Sequence, residues 1–275
     1  MQTSVTAGTD RSLGPAQARG RRRSESGEAV RREVKALATE MFIRRGYNGV
    51  TFLDLSKELG INHSLIHYHF GTKAKLAEEV LNDFSDTGIR ENTAIWGDRE
   101  ASLFDKFIAA RDRMYRRFLL FNPTGKMQHP TGLVSRFSMD AESLTPVLRN
   151  MVRATQESLD ACIEDAVRIA IDREELVPET PVQLVMLQIS SILFVAGPTA
   201  RYGWEFTRLD DHFRGTLITL MRAFGTCKGL TQPWPPIEPK RRRTQRNTTD
   251  GSAMPRVRAR PIIQTKPEEN AGQKR

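Results

Sequence analysis

The fold turns on one stretch, Ile61-Asn62-His63-Ser64-Leu65-Ile66-His67-Tyr68-His69-Phe70, which holds three of the chain's five histidines within seven positions. Wound as a helix, it sets Ile61, Ile66 and Phe70 on the inner side and His63, Ser64 and His67 on the outer one. So few apolar positions do not make a core helix. Such a helix is built to present side chains. His63 and His67 are four apart and share a face, as two zinc ligands would. The zinc-protease pattern, however, needs Glu directly after the first His, and Ser64 stands there. No cysteine lies nearby and His69 turns away, so no metal and no cofactor is expected.

The flanks define what the stretch belongs to. Val34, Leu37, Ala38, Met41 and Phe42 form one apolar helical stripe, with Gly46 as its C-terminal cap. Thr51 is placed to N-cap a second helix, with Asp54 at the third position. Val50 and Leu55 match a hydrophobic staple. Gly60 ends that helix and Asn62 caps the next, which runs to about Phe70. Gly71-Thr72 then breaks the chain before a fourth helix striped by Leu76, Val80, Leu81 and Phe84. Two short helices joined around Gly60 and braced by a longer one make a helix-turn-helix.

Beyond residue 100 the helical spacing continues with no strand signal. Leu103 to Leu119 trace one helix closed by Asn122-Pro123, and residues 123–132 form a Gly/Pro-bearing connection. Leu144 to about Ile171 make a long helix, followed by helices over about 182–200 and 209–224. The run Val182–Ala196 is apolar on nearly all sides and has to be covered on all sides. Either its own subunit buries it, or a second copy of the chain meets this one through the last two helices. The latter predicts a homodimer. The uncharged span Thr180–Ala200 approaches membrane-spanning length, but Pro181, Gln183, Gln188, Ser190 and Ser191 suit a buried helix, and no membrane partner is expected.

Charge is unevenly distributed. The net +9 resides in the ends: residues 1–27 carry +3 and residues 228–275 carry +8, while the middle is slightly acidic at −2. Both ends are poor in apolar residues and read as disordered basic tails that hold a polyanion loosely. Residues 231–239 read as a polyproline-like linker before Lys240-Arg241-Arg242-Arg243. Hydrophobic residues at 39% and charged residues at 27% match a folded domain in water. Cys162 and Cys227 form no framework and the first ten residues do not read as a secretory signal, which points to the cytoplasm. No G-x-S-x-G, Walker loop or dinucleotide glycine pattern occurs, so no catalytic residue is assigned.

The segment from Val34 to Leu81 closely resembles the DNA-binding segment of the tetracycline-repressor (TetR) family. The markers are A36-L-A-T-E-M-F, R45-G-Y, V50-T-F-L-D-L-S, L59-G-I, Y68-H-F and K73-A-K-L. The resemblance implies an all-α fold: a three-helix helix-turn-helix domain followed by a larger helical ligand-binding and dimerisation domain. It implies a regulator, usually a repressor, that binds a palindromic operator as a dimer and is released by a small-molecule effector. By the same resemblance Thr51, Tyr68 and Lys73 match phosphate-contacting positions, and His63, Leu65 and His67 match base-facing ones. Asn62 and Ser64 complete the presented surface. Two positions depart from the family pattern: His67 replaces an aromatic, and Leu65 replaces a small or hydroxylated residue, which implies a shifted operator preference.

The expected domains are a basic arm over 1–27, the DNA-binding domain over 28–84, an effector-binding and dimerisation domain over 85–227, and a basic tail over 228–275. Expected walls of the effector pocket are Phe104, Phe107, Met114, Phe118, Phe137, Met151 and Trp204. The expected partners are duplex DNA, a second copy of the chain and an unknown small effector, with the protein on the nucleoid in the cytoplasm. Two rival classes stay open: a nucleic-acid-binding protein acting through its tails without sequence preference, and a cytosolic enzyme using the helical pocket.

Overall fold

A computed structural model describes residues 15–126, 128–199, 205–229 and 232–237. Among these the chain is all helical: α1 (Pro15–Arg45), α2 (Phe52–Leu59), α3 (His63–Phe70), α4 (Lys73–Trp96), α5 (Leu103–Phe121), α6 (Leu133–Met139), α7 (Pro146–Asp172), α8 (Val182–Thr199) and α9 (Phe206–Phe224). The only extended pairings among the described residues are two isolated bridges, Lys126 with Glu205 and Leu176 with Gly225.

Local sequence explains the amino-terminal helices. Thr51 and Asp54 form a reciprocal capping box at the start of α2, and Val50 and Leu55 are both fully buried as the staple requires. Gly60 ends α2 in the left-handed region at φ 66°, which only glycine enters without strain. Asn62 accepts from the Ser64 N–H and caps α3. Thr72 caps α4 in the same way through the Lys75 N–H.

Three features depart from the sequence reading. Helix α1 begins at Pro15 rather than near Glu28, because Pro suits the first helical turn and Ala, Gln and Arg are good helix formers that need no apolar stripe. Helix α4 runs unbroken to Trp96, so the expected boundary at 84/85 falls inside a helix. Residues 232–237 do not run free as a linker. The Trp234 indole donates to Asp210 Oδ1 at 3.0 Å, and buried Arg111 donates to the Pro235 carbonyl at 2.7 Å. Phe104 meets the Trp234 ring edge-on, and Ile237 packs on the same core. Prolines stiffen this strap, so docking one tryptophan costs it little entropy. Residues 1–14 and 238–275, and with them most of the expected tails, lie outside the described residues.

The core divides in an unexpected place. One apolar cluster joins Trp96 at the end of α4 to α5, α7, α8 and α9. The other holds α1, α2, α3 and the first half of α4, and it also takes in Phe121, Leu133 and Phe137, together with Leu144 and Leu148. Helix α6 is therefore built into the core of the amino-terminal domain. No helix among the described residues is long and apolar enough to cross a membrane.

Candidate functional site

Helix α3 lies on the surface and is held from one side. Ile66 and Phe70 are buried, while Asn62, His63, Ser64 and His67 are exposed and Tyr68 is 83% exposed. Leu65 is half-buried at the edge of that face. The Tyr68 hydroxyl makes no hydrogen bond within the described residues. His63 and His67 pack against each other with ring centroids 4.5 Å apart, and Phe52 of α2 meets the His67 ring edge-on at 4.7 Å. His67 Nδ1 lies 3.1 Å from the Gly71 carbonyl. A carbonyl only accepts, so Nδ1 is the donor in this contact.

His69 belongs to the other side. Its carbonyl accepts from Arg31 of α1 at 2.5 Å, and the same guanidinium lies 4.7 Å from the Phe70 ring centroid and pairs with Glu79. The three histidines thus split into an outward pair and an inward one. Among the described residues no three His, Cys, Asp or Glu side chains converge to hold a metal ion. Arg31 was missed by the sequence reading. It clamps the carboxyl end of α3 onto α1 and α4, and no pattern within residues 61–70 signals a partner so far upstream in the sequence.

Two of the expected phosphate-contacting residues are engaged internally. The Thr51 hydroxyl donates to Asp54 Oδ2 at 2.6 Å. These hydrogen bonds from Thr51 hold the Asp54 carboxyl below its usual range. Lys73 is half-buried over the Tyr47 ring at 4.4 Å and donates to the Tyr47 carbonyl at 3.2 Å. Burial pushes its ammonium pKa down. Two of the three Lys73 N–H groups remain unused in this arrangement.

A second site lies between α4, α5, α6 and α7, a cavity of about 100 Å³. Phe84, Ile89, Met114 and Leu159 give it apolar walls, while Arg113, Arg117 and Gln156 bring polar groups into it. Of the expected pocket residues only Met114 lines it. Phe104, Phe107 and Phe118 pack into the carboxyl-terminal core, Phe137 sits between Phe42 and Tyr47, and Met151 lies against the amino-terminal core. Trp204 lies outside the described residues. The large aromatics fill space. The cavity instead opens where side chains are small, at Ser85, Gly88, Thr131, Gly132 and Ser135, and that was the signal to read.

Arg117 stacks 4.5 Å from the Phe84 ring centroid and its Nε donates to the Thr131 carbonyl at 3.1 Å. Burial, with Arg113 adding to it and Glu91 opposing, pushes the Arg117 pKa down to about 10. Arg113 Nε donates to Glu91 at 2.7 Å and its Nη1 to Asn92 at 3.2 Å.

Helix α6 forms part of the cavity wall through Val134 and Ser135, and its far side holds the helix-turn-helix. Asp140, just after α6, accepts from Arg136 Nε at 3.2 Å and from the Tyr47 backbone N–H at 2.9 Å. Asn48 donates to Ser143 at 2.8 Å. Gly46 stands in the left-handed region at φ 77°, and the side-chain ends of Arg136 and Asp140 close over it. Ser135 at the cavity and Asp140 at the turn before α2 are five residues apart in sequence.

Comparison with known proteins agrees with this geometry. The sequence profile of the bacterial regulatory proteins of the tetR family matches residues 36–80, which span the end of α1 through the start of α4. The chain is 29% identical over 129 residues to the HTH-type transcriptional repressor Rv3405c of Mycobacterium tuberculosis, covering 46% of this chain and 64% of that one. It is 23% identical over 195 residues to the HTH-type negative transcriptional regulator IcaR of the biofilm operon icaADBC of Staphylococcus epidermidis, covering 68% and 94%. The crystal structure of a TetR-family transcriptional regulator from Agrobacterium tumefaciens superposes with a TM-score of 0.61 at 18% identity, covering 70% of this chain and 98% of that one. The match to Rv3405c thus spans less than two thirds of that protein. Residues 36–80 thus carry the sequence of the bacterial regulatory proteins of the tetR family, and the helices around them share the fold of a solved TetR-family regulator.

Proposed function

We propose that the chain is a sequence-specific DNA-binding repressor that grips a palindromic operator as a homodimer and is released by a small effector. The observation that carries the reading is α3 itself. It is an eight-residue helix with only Ile66 and Phe70 buried, and it offers imidazole, hydroxyl and phenol groups outward without a single acid. Groups of this kind match base edges and phosphates, whereas a merely solvated face is normally rich in charge. His63, Ser64, Leu65 and His67 face the bases in this proposal, with Tyr68, Asn62, Thr51 and Lys73 at the backbone. Thr51 and Lys73 reach a phosphate by turning part of their hydrogen bonding away from Asp54 and Tyr47.

The dimer is supported by apolar side chains left uncovered on the last two helices. Leu184 is 61% exposed and Leu187 55% on α8, and Ile218 stands out on α9. An isologous contact through α8 and α9 would cover them and pair two copies of α3 across a two-fold axis, about one turn of DNA apart. The relatives named above as repressors support repression as the outcome. Release follows from the position of α6: an effector in the cavity pushes on Val134 and Ser135, and Asp140 and Phe137 carry the shift to the α1–α2 turn. Only a ligand that favours the displaced arrangement releases DNA. The protein then works in the cytoplasm on the nucleoid, without catalysing a reaction.

The test is selection of bound duplexes from a random pool by the full chain. Enrichment of a two-fold symmetric sequence is expected. Equal retention of all duplexes would overturn the reading in favour of charge-only binding through the basic ends.

A further inference from the structure

The cavity has a chemical preference of its own. Two guanidinium groups enter it and one carboxylate, Glu91, stands beside them, 2.7 Å from Arg113 Nε and 3.8 Å from Arg117 Nη1. The pair therefore keeps one positive charge in excess. Several donors make no hydrogen bond within the described residues: Arg113 Nη2, Arg117 Nη2 and Gln156 Nε2, while Arg117 Nη1 has only its long ion pair with Glu91. Gln156 Nε2 is a buried polar atom with no hydrogen-bond partner, one of two such side-chain atoms among the described residues. A buried donor left unpaired is costly, and natural sites keep one where a ligand completes it. The opposite walls, Phe84, Ile89 and Leu159, are apolar.

We propose that this cavity binds a small monocarboxylate, its anion held by Arg117, Arg113 and Gln156 and its short chain lying against Phe84, Ile89 and Leu159. The class follows from the donors. Planar guanidinium groups bind carboxylate oxygens in pairs, and an amide N–H adds a third contact. The size follows from the space: a cavity of about 100 Å³ is smaller than the roughly 150 Å³ that takes up benzene, so the apolar part is a short chain and not a ring. A neutral acceptor such as a primary amide would leave the excess charge uncompensated in a desolvated site. The proposal rests on reading this cavity as the effector site, and it adds what the effector is chemically.

The experiment titrates the full chain with propionate and butyrate, and with the matched amides propionamide and butyramide, by calorimetry. At least one acid is expected to bind roughly tenfold or more tightly than its amide, in line with charge-assisted hydrogen bonds. Gln156→Glu adds a carboxylate beside the guanidinium pair and is expected to abolish acid binding, while Gln156→Leu weakens it and leaves the charge. Folding of each variant is checked by its unfolding transition. If an amide binds as well as its acid, or neither acid binds, the proposal is overturned. A second readout keeps the two readings apart. If an acid binds in this way but leaves the affinity for the selected duplex unchanged, the carboxylate site stands and its role as effector site falls.

Discussion

Two helices of nearly equal length do opposite things here. α3 has eight residues, two of them buried, and α6 has seven, with Leu133 and Phe137 buried. α3 turns its chemistry to the outside and touches little beyond the core that holds it. α6 has the cavity on one side and the turn before α2 on the other, and it shares a core with the amino-terminal helices. The outward face of the first can be altered at little cost in stability. The second cannot.

Substitutions separate the two helices by size of effect. Phe137→Ala removes a fully buried ring packed between Phe42 and Tyr47, and is expected to cost about 3–5 kcal/mol in denaturant unfolding. A loss near zero would mean that α6 is only laid against the domain. Asp140→Ala leaves the Tyr47 N–H and the Arg136 charge without their acceptor, with an expected cost of about 1–3 kcal/mol. It should also blunt the response of DNA binding to an effector, measured as the ratio of duplex affinities with and without ligand. An undiminished ratio would route the coupling elsewhere.

Smaller effects come from α2 and α3. Thr51→Ala breaks the capping box of α2 and should cost about 1 kcal/mol. Because hydrogen bonding holds the Asp54 carboxyl below its usual range, its stabilising contribution is present above the ordinary carboxylate pKa and is lost as pH falls through the lowered value. The stability gap between the wild-type chain and Asp54→Asn should therefore close in acid. A constant gap would show that the charge plays no part. Tyr68→Ala, at a site 83% exposed, should change stability by less than about 0.5 kcal/mol. It should still weaken duplex binding clearly, and an unaltered duplex affinity would remove Tyr68 from the interface.

The same contrast explains how far the sequence could be read. Caps and staples act within a few residues, so Thr51, Gly60 and Asn62 fixed the ends of α2 and α3 from local spacing alone, and the inward set Ile66 and Phe70 followed from periodicity. α6 carries no such mark. It is one short segment after a Gly/Pro-bearing connection, and its meaning comes from Tyr47 and Phe42, about ninety residues upstream in the sequence. Arg31 and Trp234 were hidden for the same reason, since each acts through partners far along the chain. The cavity between α4, α5, α6 and α7 carries no local sequence mark either, because large aromatics fill space and small residues leave it.

The most direct test of the central claim is to repeat the random-duplex selection with His67→Ala and compare the enriched sequence with that of the wild-type chain. If α3 reads bases, the folded variant will change its preference at symmetry-related positions of the site while the rest of the sequence stays. If the same sequence emerges with the same affinity, α3 does not read DNA through this face.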